Sequence, residues 1–352
     1  MLLDVRNLRT EFRGRTSVVR AADDVSLQVD EGETLALVGE SGSGKSVTAL
    51  SIMGLISGPV ARVTDGEALF EGRDILRMTP KEVRALRGPG IAMVFQDPMT
   101  SLNPSLTVGR QLTESLRLHR GLSRGQARRR AVELLELVGI SEPESRLRSY
   151  PHQFSGGMRQ RVMIAIALAC DPKLLVADEI TTALDVTIQA QILELLRRLT
   201  RELGTAVVLI THDLGIVAGM SERVNVMYGG QIVESAATRD LFANPRMPYT
   251  WGLLASIPRL DEPRATTLVP IKGSPPDMSD PPPGCRYQPR CPVAREICAA
   301  RPPALVETEP AADGTPHLTR CWGMADAPEG GWLRGVDWRE VQRAGALEGS
   351  SS

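Results

Sequence analysis

The sequence is poor in lysine and in aromatic residues, and it contains no long hydrophobic run. Aromatic residues make up 4% of its 352 residues, and lysine occurs only at positions 45, 81, 173 and 272. The longest apolar run covers residues 162–170, whereas a helix needs about 20 residues to cross a bilayer. Charged side chains interrupt the first ten residues. The sequence therefore predicts neither a membrane-spanning segment nor a signal peptide.

No charge of either sign dominates. The chain has 41 Lys and Arg against 42 Asp and Glu, a formal net charge of -1. This balance argues against a general attraction to nucleic acid or anionic lipid, so no nucleic-acid partner is expected. The 42% of hydrophobic and 24% of charged residues are typical of globular proteins. The length favours one large domain with an appendage.

Strand and helix patterns alternate along the chain. Apolar residues at every second position over 25–29 predict a half-buried strand, and the apolar run 35–38 predicts a buried one. The later segments are, in order, a helix to residue 169, a strand at 174–177, a helix at 186–203 and a strand at 207–210. This alternation favours a mainly parallel sheet. The stretch 97–158 is predicted to be a helical insertion, and the glycines at 229–230 predict a hairpin.

The strongest local signal is a glycine-rich loop between a predicted strand and a predicted helix. The pattern GxxxxGK(S/T) is complete, and the predicted ATP-binding residues are Gly39, Glu40, Ser41, Gly42, Ser43, Gly44, Lys45, Ser46 and Val47. Glycines let backbone N–H groups turn towards phosphate oxygens, Lys45 neutralises the β- and γ-phosphates, and the Ser46 hydroxyl can ligate Mg²⁺. The alternative is a glycine-rich turn that merely precedes a helix.

Two carboxylates follow the predicted strand at 174–177. Asp178 and Glu179 stand at its carboxyl end, where ligands of parallel sheets bind. Asp178 can hold Mg²⁺ through water, and Glu179 can accept a proton from the water that attacks the γ-phosphate. Two acids after a strand are, by themselves, more often a loop or a helix cap. The phosphate loop in the same chain favours the catalytic interpretation.

Further motifs resemble those of ATP-binding-cassette (ABC) ATPases. The segment Phe154-Ser155-Gly156-Gly157-Met158-Arg159-Gln160 resembles the LSGGQ signature and lies between the phosphate loop and the acidic strand, as in that family. Gln96 resembles the Q-loop glutamine, residues 183–185 the D-loop and residues 211–213 the H-loop. The motifs stand in the order of the family over roughly residues 1–240.

The resemblance implies roles that one chain cannot show. Two cassettes of this family dimerise head to tail, so the signature residues would contact ATP bound to the partner chain; they are Ser155, Gly156 and Gly157. His212 would contact the γ-phosphate, and Gln96 would sense Mg²⁺ and move the helical insertion. Mg²⁺ would be held by Ser46, Gln96 and Asp178. The alternative for His212 is a structural role, as a polar residue whose hydrogen bonds are satisfied at the end of a strand.

Two positions are less regular. Phe12 is the candidate for the aromatic side chain that stacks on adenine, and the alternative is a buried strand residue. Family members usually have proline after the catalytic glutamate, whereas this chain has Ile180. Because isoleucine is β-branched and favours extended geometry, Glu179 is predicted to keep an extended backbone.

The C-terminal part resembles the extension of ATPase subunits from dipeptide, oligopeptide and nickel importers. The resemblance rests on residues 244–250 and 283–292, and on 95–104 in the cassette. Four cysteines, separated by five, six and twenty-two residues, lie in this extension: Cys285, Cys291, Cys298 and Cys321. Some members of the group carry an iron–sulfur cluster there, and four thiolates suit a [4Fe–4S] centre. Zinc and unliganded thiols are the alternatives, while Cys170 is predicted to pack in the core.

The predicted fold is α/β, a P-loop NTPase of the ABC type with an antiparallel β subdomain, a helical insertion and a Cys-rich C-terminal extension. The ABC ATPase domain is predicted to cover residues 1–245 and the extension 246–325. Residues 326–352 are predicted to be a disordered tail. Because the extension is rich in proline and poor in large apolar residues, burial alone is not expected to order it.

The predicted function is ATP hydrolysis that drives the import of dipeptides or oligopeptides, or of nickel or another small solute. The resemblance implies three kinds of partner: a second ABC ATPase subunit, which would be a paralogue, two membrane permease subunits and an extracytoplasmic solute-binding protein. The expected location is the cytoplasmic face of the membrane. A soluble ABC ATPase acting on DNA or ribosomes is the rival. It would carry a long coiled coil or a second cassette, and neither is present in the sequence. A nonhydrolytic iron–sulfur module would lack Lys45 or Glu179.

Overall fold

The structure, a computed structural model, describes residues 1–181, 185–257, 270–310, 314–325 and 330–342. The strands are β1 Leu3–Arg13, β2 Val18–Val29, β3 Thr34–Val38, β4 Ala61–Phe70, β5 Arg73–Asp74, β6 Ile91–Val94, β7 Leu174–Asp178, β8 Ala206–Thr211, β9 Arg223–Tyr228, β10 Gln231–Ala237, β11 Val306–Glu307 and β12 Leu318–Thr319. The helices are α1 Lys45–Ile52, α2 Pro80–Leu86, α3 Pro98–Ser101, α4 Val108–Arg120, α5 Arg124–Leu137, α6 Pro143–Arg146, α7 Gly156–Leu168, α8 Val186–Leu203, α9 Leu214–Met220, α10 Thr238–Ala243, α11 Pro248–Ala255 and α12 Glu296–Ala300.

The chain divides into two compact units. The first unit comprises Met1–Leu3, Gln28–Thr34 and Leu69–Ile210, and the second comprises Asp4–Leu27, Leu35–Ala68 and Thr211–Ser352.

The first unit is built on parallel strands. β7 pairs in parallel with β6 on one side and with β8 on the other. Every residue of β7 and β8 is buried, as is usual for parallel strands covered on both faces. The predicted strands at 174–177 and 207–210 are therefore confirmed, and so is their parallel arrangement.

Helices α3 to α6 lie within the stretch predicted to be an insertion, and α7 begins at its end; all five belong to the first unit. α5 begins with a capping box in which Ser123 and Gln126 exchange side-chain and backbone hydrogen bonds. One side of α5 is buried: Ala131, Leu134 and the following Val138 are at most 1% exposed. Cys170, just after α7, is buried as predicted, and its thiol contacts the carbonyl oxygen of Ser115 at 3.7 Å.

The second unit contains most of β1, β2 and β4, and also strands in the order β11-β12-β10-β9-β3. β3 is parallel to β9, and β9 and β10 form the predicted antiparallel hairpin. Gly229 and Gly230 connect them with φ angles of 52° and 78°, which a tight hairpin turn requires and glycine adopts without strain. β10 pairs with β12, and β12 pairs with β11. The extension thus adds two short strands that the sequence does not predict.

The extension packs into an aromatic core, contrary to the expectation that burial alone would not order it. Tyr249 and Trp251 are at most 1% exposed, and Tyr287 is 3% exposed. They belong to one buried cluster together with Cys321 and Leu333. Few large side chains are sufficient here because the extension shares this core with β9 and β10.

Part of the predicted disordered tail also packs in this core. Leu333 is 5% exposed, and Trp332 and Trp338 pack against the same cluster. The structure therefore differs from the prediction over residues 330–342, while residues 326–329 and 343–352 lie outside the described residues. The boundaries at 245 and 325 stay predictions.

Candidate functional site

The glycine-rich loop connects β3 to α1 in the second unit. Gly44 precedes α1 with φ 105°, and Gly39 has φ 150°. A Cβ atom on Gly39 would lie 2.1 Å from the carbonyl oxygen of Met227, and one on Gly44 would lie 2.1 Å from that of Ala21. Both positions therefore require glycine, since no side chain fits between the loop and the neighbouring backbone.

Lys45 and Ser46 open α1 directly after this loop. Lys45 is 4% exposed, and its ammonium donates to the carbonyl oxygens of Gly39 at 2.8 Å and Glu40 at 3.0 Å. The Lys45 ammonium is thus held in place by backbone carbonyl groups at the start of the loop. A loop of glycines, a lysine and a helix N-terminus together form an anion-binding arrangement.

The acidic residues lie at the carboxyl edge of the first unit's sheet. Asp178 ends β7 and is 6% exposed, and Glu179 follows it. The amide nitrogen of the Gln96 side chain donates to Oε2 of Glu179 at 2.9 Å. The sequence predicts functional roles for both residues, and the structure joins them, although they are 83 positions apart.

Glu179 does not have the extended backbone that the sequence predicts. Its φ is 45°, in the left-handed region, which a residue with a side chain adopts only at a cost. Its backbone N–H donates to the carbonyl oxygen of Ile210 at 2.9 Å, and Ile180 after it is 3% exposed. The strand pairing and the burial of Ile180 thus set the turn at Glu179 and override the local preference.

The signature begins α7 in the first unit. Ser155 is the N-cap residue, and its hydroxyl accepts a hydrogen bond from the backbone N–H of Met158. Ser155 and Gly156 are exposed. A Cβ atom on Gly157 would lie 2.8 Å from Cγ2 of Ile188 in α8, so a side chain at this position would displace Ile188. An exposed helix N-terminus favours an anionic ligand.

His212 and Phe12 belong to the second unit. His212 is exposed directly after the buried Thr211, where β8 ends. Phe12 is half-buried near the end of β1, so part of its ring is accessible. The predicted D-loop covers residues 183–185. The side chain of Asp185 caps α8 by accepting a hydrogen bond from the backbone N–H of Ile188. Residues 183 and 184 lie outside the described residues.

Residues of the extension contact the phosphate loop, which sequence reasoning missed. The guanidinium of Arg290 forms two hydrogen bonds with the carboxylate of Glu40, at 2.6 and 3.0 Å. The backbone N–H of Glu40 donates to the Tyr249 hydroxyl at 2.8 Å. A single arginine in a proline-rich segment carries no local signal that could have indicated this pair.

The four cysteines of the extension surround one small cavity. Its volume is about 20 Å³, and its other lining residues include Tyr287, Trp332 and Leu333. Burial raises the pKa of Cys285, and it raises that of Cys291 to about 12. The structure therefore brings together the cysteines that the sequence grouped, and burial disfavours the thiolate form of these two.

The predicted metal centre at these cysteines is not supported by their arrangement. Over the described part of the chain, which includes Cys285, Cys291, Cys298 and Cys321, no three side chains of His, Cys, Asp or Glu are grouped to hold a metal ion. The cavity has room for about one water molecule. As they stand, the thiols pack as small apolar side chains.

Comparison with known proteins agrees with this geometry. The family described as ABC transporter matches residues 22–182, and the family described as oligopeptide/dipeptide transporter, C-terminal region, matches residues 233–298. The dipeptide transport ATP-binding protein DppD of Bacillus subtilis is 50% identical over 322 residues, covering 91% of this chain and 94% of the relative. The chain belongs to the ABC transporter ATPases of the dipeptide and oligopeptide importer family.

Other relatives of this ABC family agree. The oligopeptide transport ATP-binding protein OppD of Salmonella typhimurium is 52% identical over 303 residues, 86% of this chain and 90% of the relative. Among solved structures, the dimeric ATP-binding cassette MJ0796 bound to ADP and phosphate has a TM-score of 0.61 and 31% identity. The match covers 67% of this chain and 99% of that one. Over the described ranges, no helix of this ABC ATPase combines the length and apolarity needed to cross a membrane.

Proposed function

We propose that this chain is the ATP-hydrolysing subunit of an importer for dipeptides or oligopeptides. The observation that carries the proposal is about 50% identity, over nine-tenths of the chain, to proteins named for dipeptide and oligopeptide transport. Their C-terminal region is shared as well, since the peptide-transporter extension matches residues 233–298. This separates the chain from ABC ATPases in general.

ATP is proposed to bind through its phosphates to the residues of the glycine-rich loop, with Phe12 against the adenine. Mg²⁺ prefers oxygen ligands, and the donor set Ser46, Gln96 and Asp178 supplies a hydroxyl, an amide and a carboxylate. These residue types fit the ion, which would neutralise phosphate charge.

Glu179 is proposed to accept the proton of the attacking water. The Gln96 amide holds one of its carboxylate oxygens, Oε2, at 2.9 Å, which restricts the direction of the side chain. His212 is proposed to contact the γ-phosphate. Orientation of a general base in this way contributes to catalysis because less freedom is lost when the substrate binds.

The signature is proposed to act on ATP bound to a second ATPase subunit, which we propose is a paralogue. The exposed Ser155 and Gly156 at the start of α7 support this role, since a helix N-terminus stabilises phosphate charge. Two permease subunits and an extracytoplasmic solute-binding protein complete the proposed importer, with this chain at the cytoplasmic face.

Ser155→Arg is expected to reduce ATP hydrolysis by the assembled importer at least tenfold and to leave ATP binding by the purified chain nearly unchanged. An arginine at this exposed helix start would block the approach of a partner's nucleotide. The substitution also removes an N-cap, worth about 0.5–2 kcal/mol. Ser123→Arg, which removes the N-cap of α5 with the same residue change, is the matched control. Equal loss of ATP affinity in the purified Ser155→Arg chain would contradict the action across a dimer.

Uptake of labelled peptides tests the function itself. Cells that lack this chain should lose uptake of dipeptides or oligopeptides and regain it with the wild-type chain but not with Glu179→Gln. Loss of nickel uptake alone would favour the nickel alternative. Purification of the chain with DNA or ribosomes, and without membrane subunits, would favour the soluble rival.

For the C-terminal cysteines we propose a [4Fe–4S] cluster, with zinc as the alternative. The support is chemical: four thiols line one cavity, and four thiolates are the ligand set of such a cluster. The packing described above does not hold a metal, so binding would require Cys285, Cys291, Cys298 and Cys321 to rearrange around it as thiolates.

Anaerobically purified importer is expected to contain about four iron atoms and four sulfides per copy of this chain. The Cys291→Ser variant should lose them, whereas Cys170→Ser, in the first unit, should keep them. Elemental analysis provides the measurement. One zinc and no iron would reject the cluster, and no metal in anaerobic material would leave the thiols as the packed side chains described above.

A further inference from the structure

The phosphate loop contains a carboxylate, although its proposed ligand is a polyanion. Glu40 is the only acidic residue between Gly39 and Ser46. A carboxylate close to a triphosphate opposes its binding, because like charges repel and the repulsion grows as water is excluded. The loop can therefore accept ATP well only if this charge is compensated.

Arg290 compensates it from the C-terminal extension. The side chain of Arg290 is 4% exposed. Nη1 donates to Oε2 of Glu40 at 2.6 Å, and Nη2 donates to Oε1 at 3.0 Å. Such a bidentate pair directs both carboxylate oxygens to one partner, which a lysine cannot do.

Backbone carbonyl groups and two tyrosine rings hold the guanidinium of Arg290 in place. Nε donates to the carbonyl oxygen of Lys272 at 2.9 Å, and Nη2 donates to that of Ile271 at 3.3 Å. Cζ of Arg290 lies 5.8 Å from the ring centre of Tyr228 and 6.0 Å from that of Tyr287. Both distances are within the range of cation–π attraction.

The backbone of the loop is anchored to the same extension. Tyr249 is fully buried, and its hydroxyl accepts the N–H of Glu40 at 2.8 Å. Both the side chain and the backbone of Glu40 are thus bound by residues far along the sequence. The first turn of the phosphate loop is therefore held by the extension and not by the loop sequence alone.

We propose that Arg290 is a positioning residue for ATP binding, which neutralises Glu40 and holds its carboxylate on the C-terminal extension. This rests on the proposed function, because the ligand of the loop is taken to be ATP. Without Arg290, the Glu40 carboxylate is unpaired in a loop that must accept phosphates. The extension thereby sets the nucleotide affinity of the cassette.

The test compares ATP binding by four full-length chains: wild type, Arg290→Met, Glu40→Gln and the double variant. We expect Arg290→Met to weaken ATP binding about tenfold, within the 5- to 150-fold range usual for coupled sites. In the Glu40→Gln background, Arg290→Met should have no further effect, since no carboxylate remains to be neutralised. A loss of packing alone would persist in both backgrounds.

Two further measurements separate charge from folding. The defect of Arg290→Met should shrink at 1 M salt, where the Debye length is about 3 Å, and Arg290→Lys should restore part of the affinity. Arg295→Met is the matched control, since Arg295 is an exposed arginine of the same extension that lies over the Trp332 ring at 4.4 Å. It should bind ATP as the wild type does.

Each outcome decides one claim. If wild type binds ATP and Arg290→Met binds it equally well, this inference is overturned and the proposed function stands. Equal loss in the presence and absence of the Glu40 carboxylate would also overturn it. Failure of the wild-type chain to bind ATP would overturn both.

Discussion

Glu179→Gln is expected to lower the ATPase turnover of the assembled importer by about 10²–10⁴-fold, the usual contribution of a positioned base. ATP binding should be retained, because the phosphate loop is unchanged. The substitution keeps the size of the side chain and removes the carboxylate that accepts the proton. Steady-state hydrolysis and nucleotide binding, measured on the same preparation, check the two halves of this prediction.

The geometry of Glu179 sharpens the test. Its partner Gln96 donates to Oε2, and an amide at position 179 can still accept that hydrogen bond through its own oxygen. Gln96 can therefore stay in place while the base is lost. Glu202→Gln, an exposed glutamate in the last turn of α8, is the matched control. Wild-type turnover in Glu179→Gln would show that another residue, or the partner's site, carries the reaction.

Lys45→Ala is expected to weaken ATP binding about 10- to 150-fold, as the loss of hydrogen bonds from a charged donor implies. Lys45 is buried, and its ammonium bridges the carbonyl oxygens of Gly39 and Glu40. Its removal takes away both the cation and the contact that closes the loop. Titration of the purified chain with ATP and Mg²⁺ provides the measurement.

The control for this prediction is Lys81→Ala, because Lys81 is exposed on α2. The fold should survive both changes, and thermal unfolding of the nucleotide-free chain will show whether it does. A Lys45→Ala chain that is folded and binds ATP with wild-type affinity would contradict an ATP-binding role for the loop.

The motifs could be predicted because each is written in consecutive residues. The loop at Gly39–Ser46 is recognised by glycines, a lysine and a serine at fixed spacing, although the contacts that exclude a side chain at Gly39 and Gly44 come from Met227 and Ala21. The acids after β7 are placed at the carboxyl edge by the buried strand before them. Periodicity was sufficient for β7, β8 and α8, since burial of one face or of a whole strand leaves a regular apolar pattern.

Other features could not be predicted because they depend on residues far apart in the chain. Glu179 takes a left-handed backbone through its bond with Ile210, which no local preference indicates. The extension folds on an aromatic core shared with β9 and β10, so its own scarcity of apolar residues is misleading. The pairing of the short strands β11 and β12 likewise has no periodicity long enough to detect.

The class of this protein can be read from the order of its motifs, which indicates an ABC ATPase, and residues 244–250 and 283–292 indicate the peptide-importer branch. The contact between the extension and the phosphate loop became visible only in the folded chain. Arg290 and Glu40 are 250 positions apart, and their pairing requires the hairpin of β9 and β10 and the core around Tyr249 and Tyr287. A motif is set by the requirements of neighbouring residues and is therefore visible in the sequence. A charge pair between distant segments forms only when the chain folds, so no local pattern indicates it.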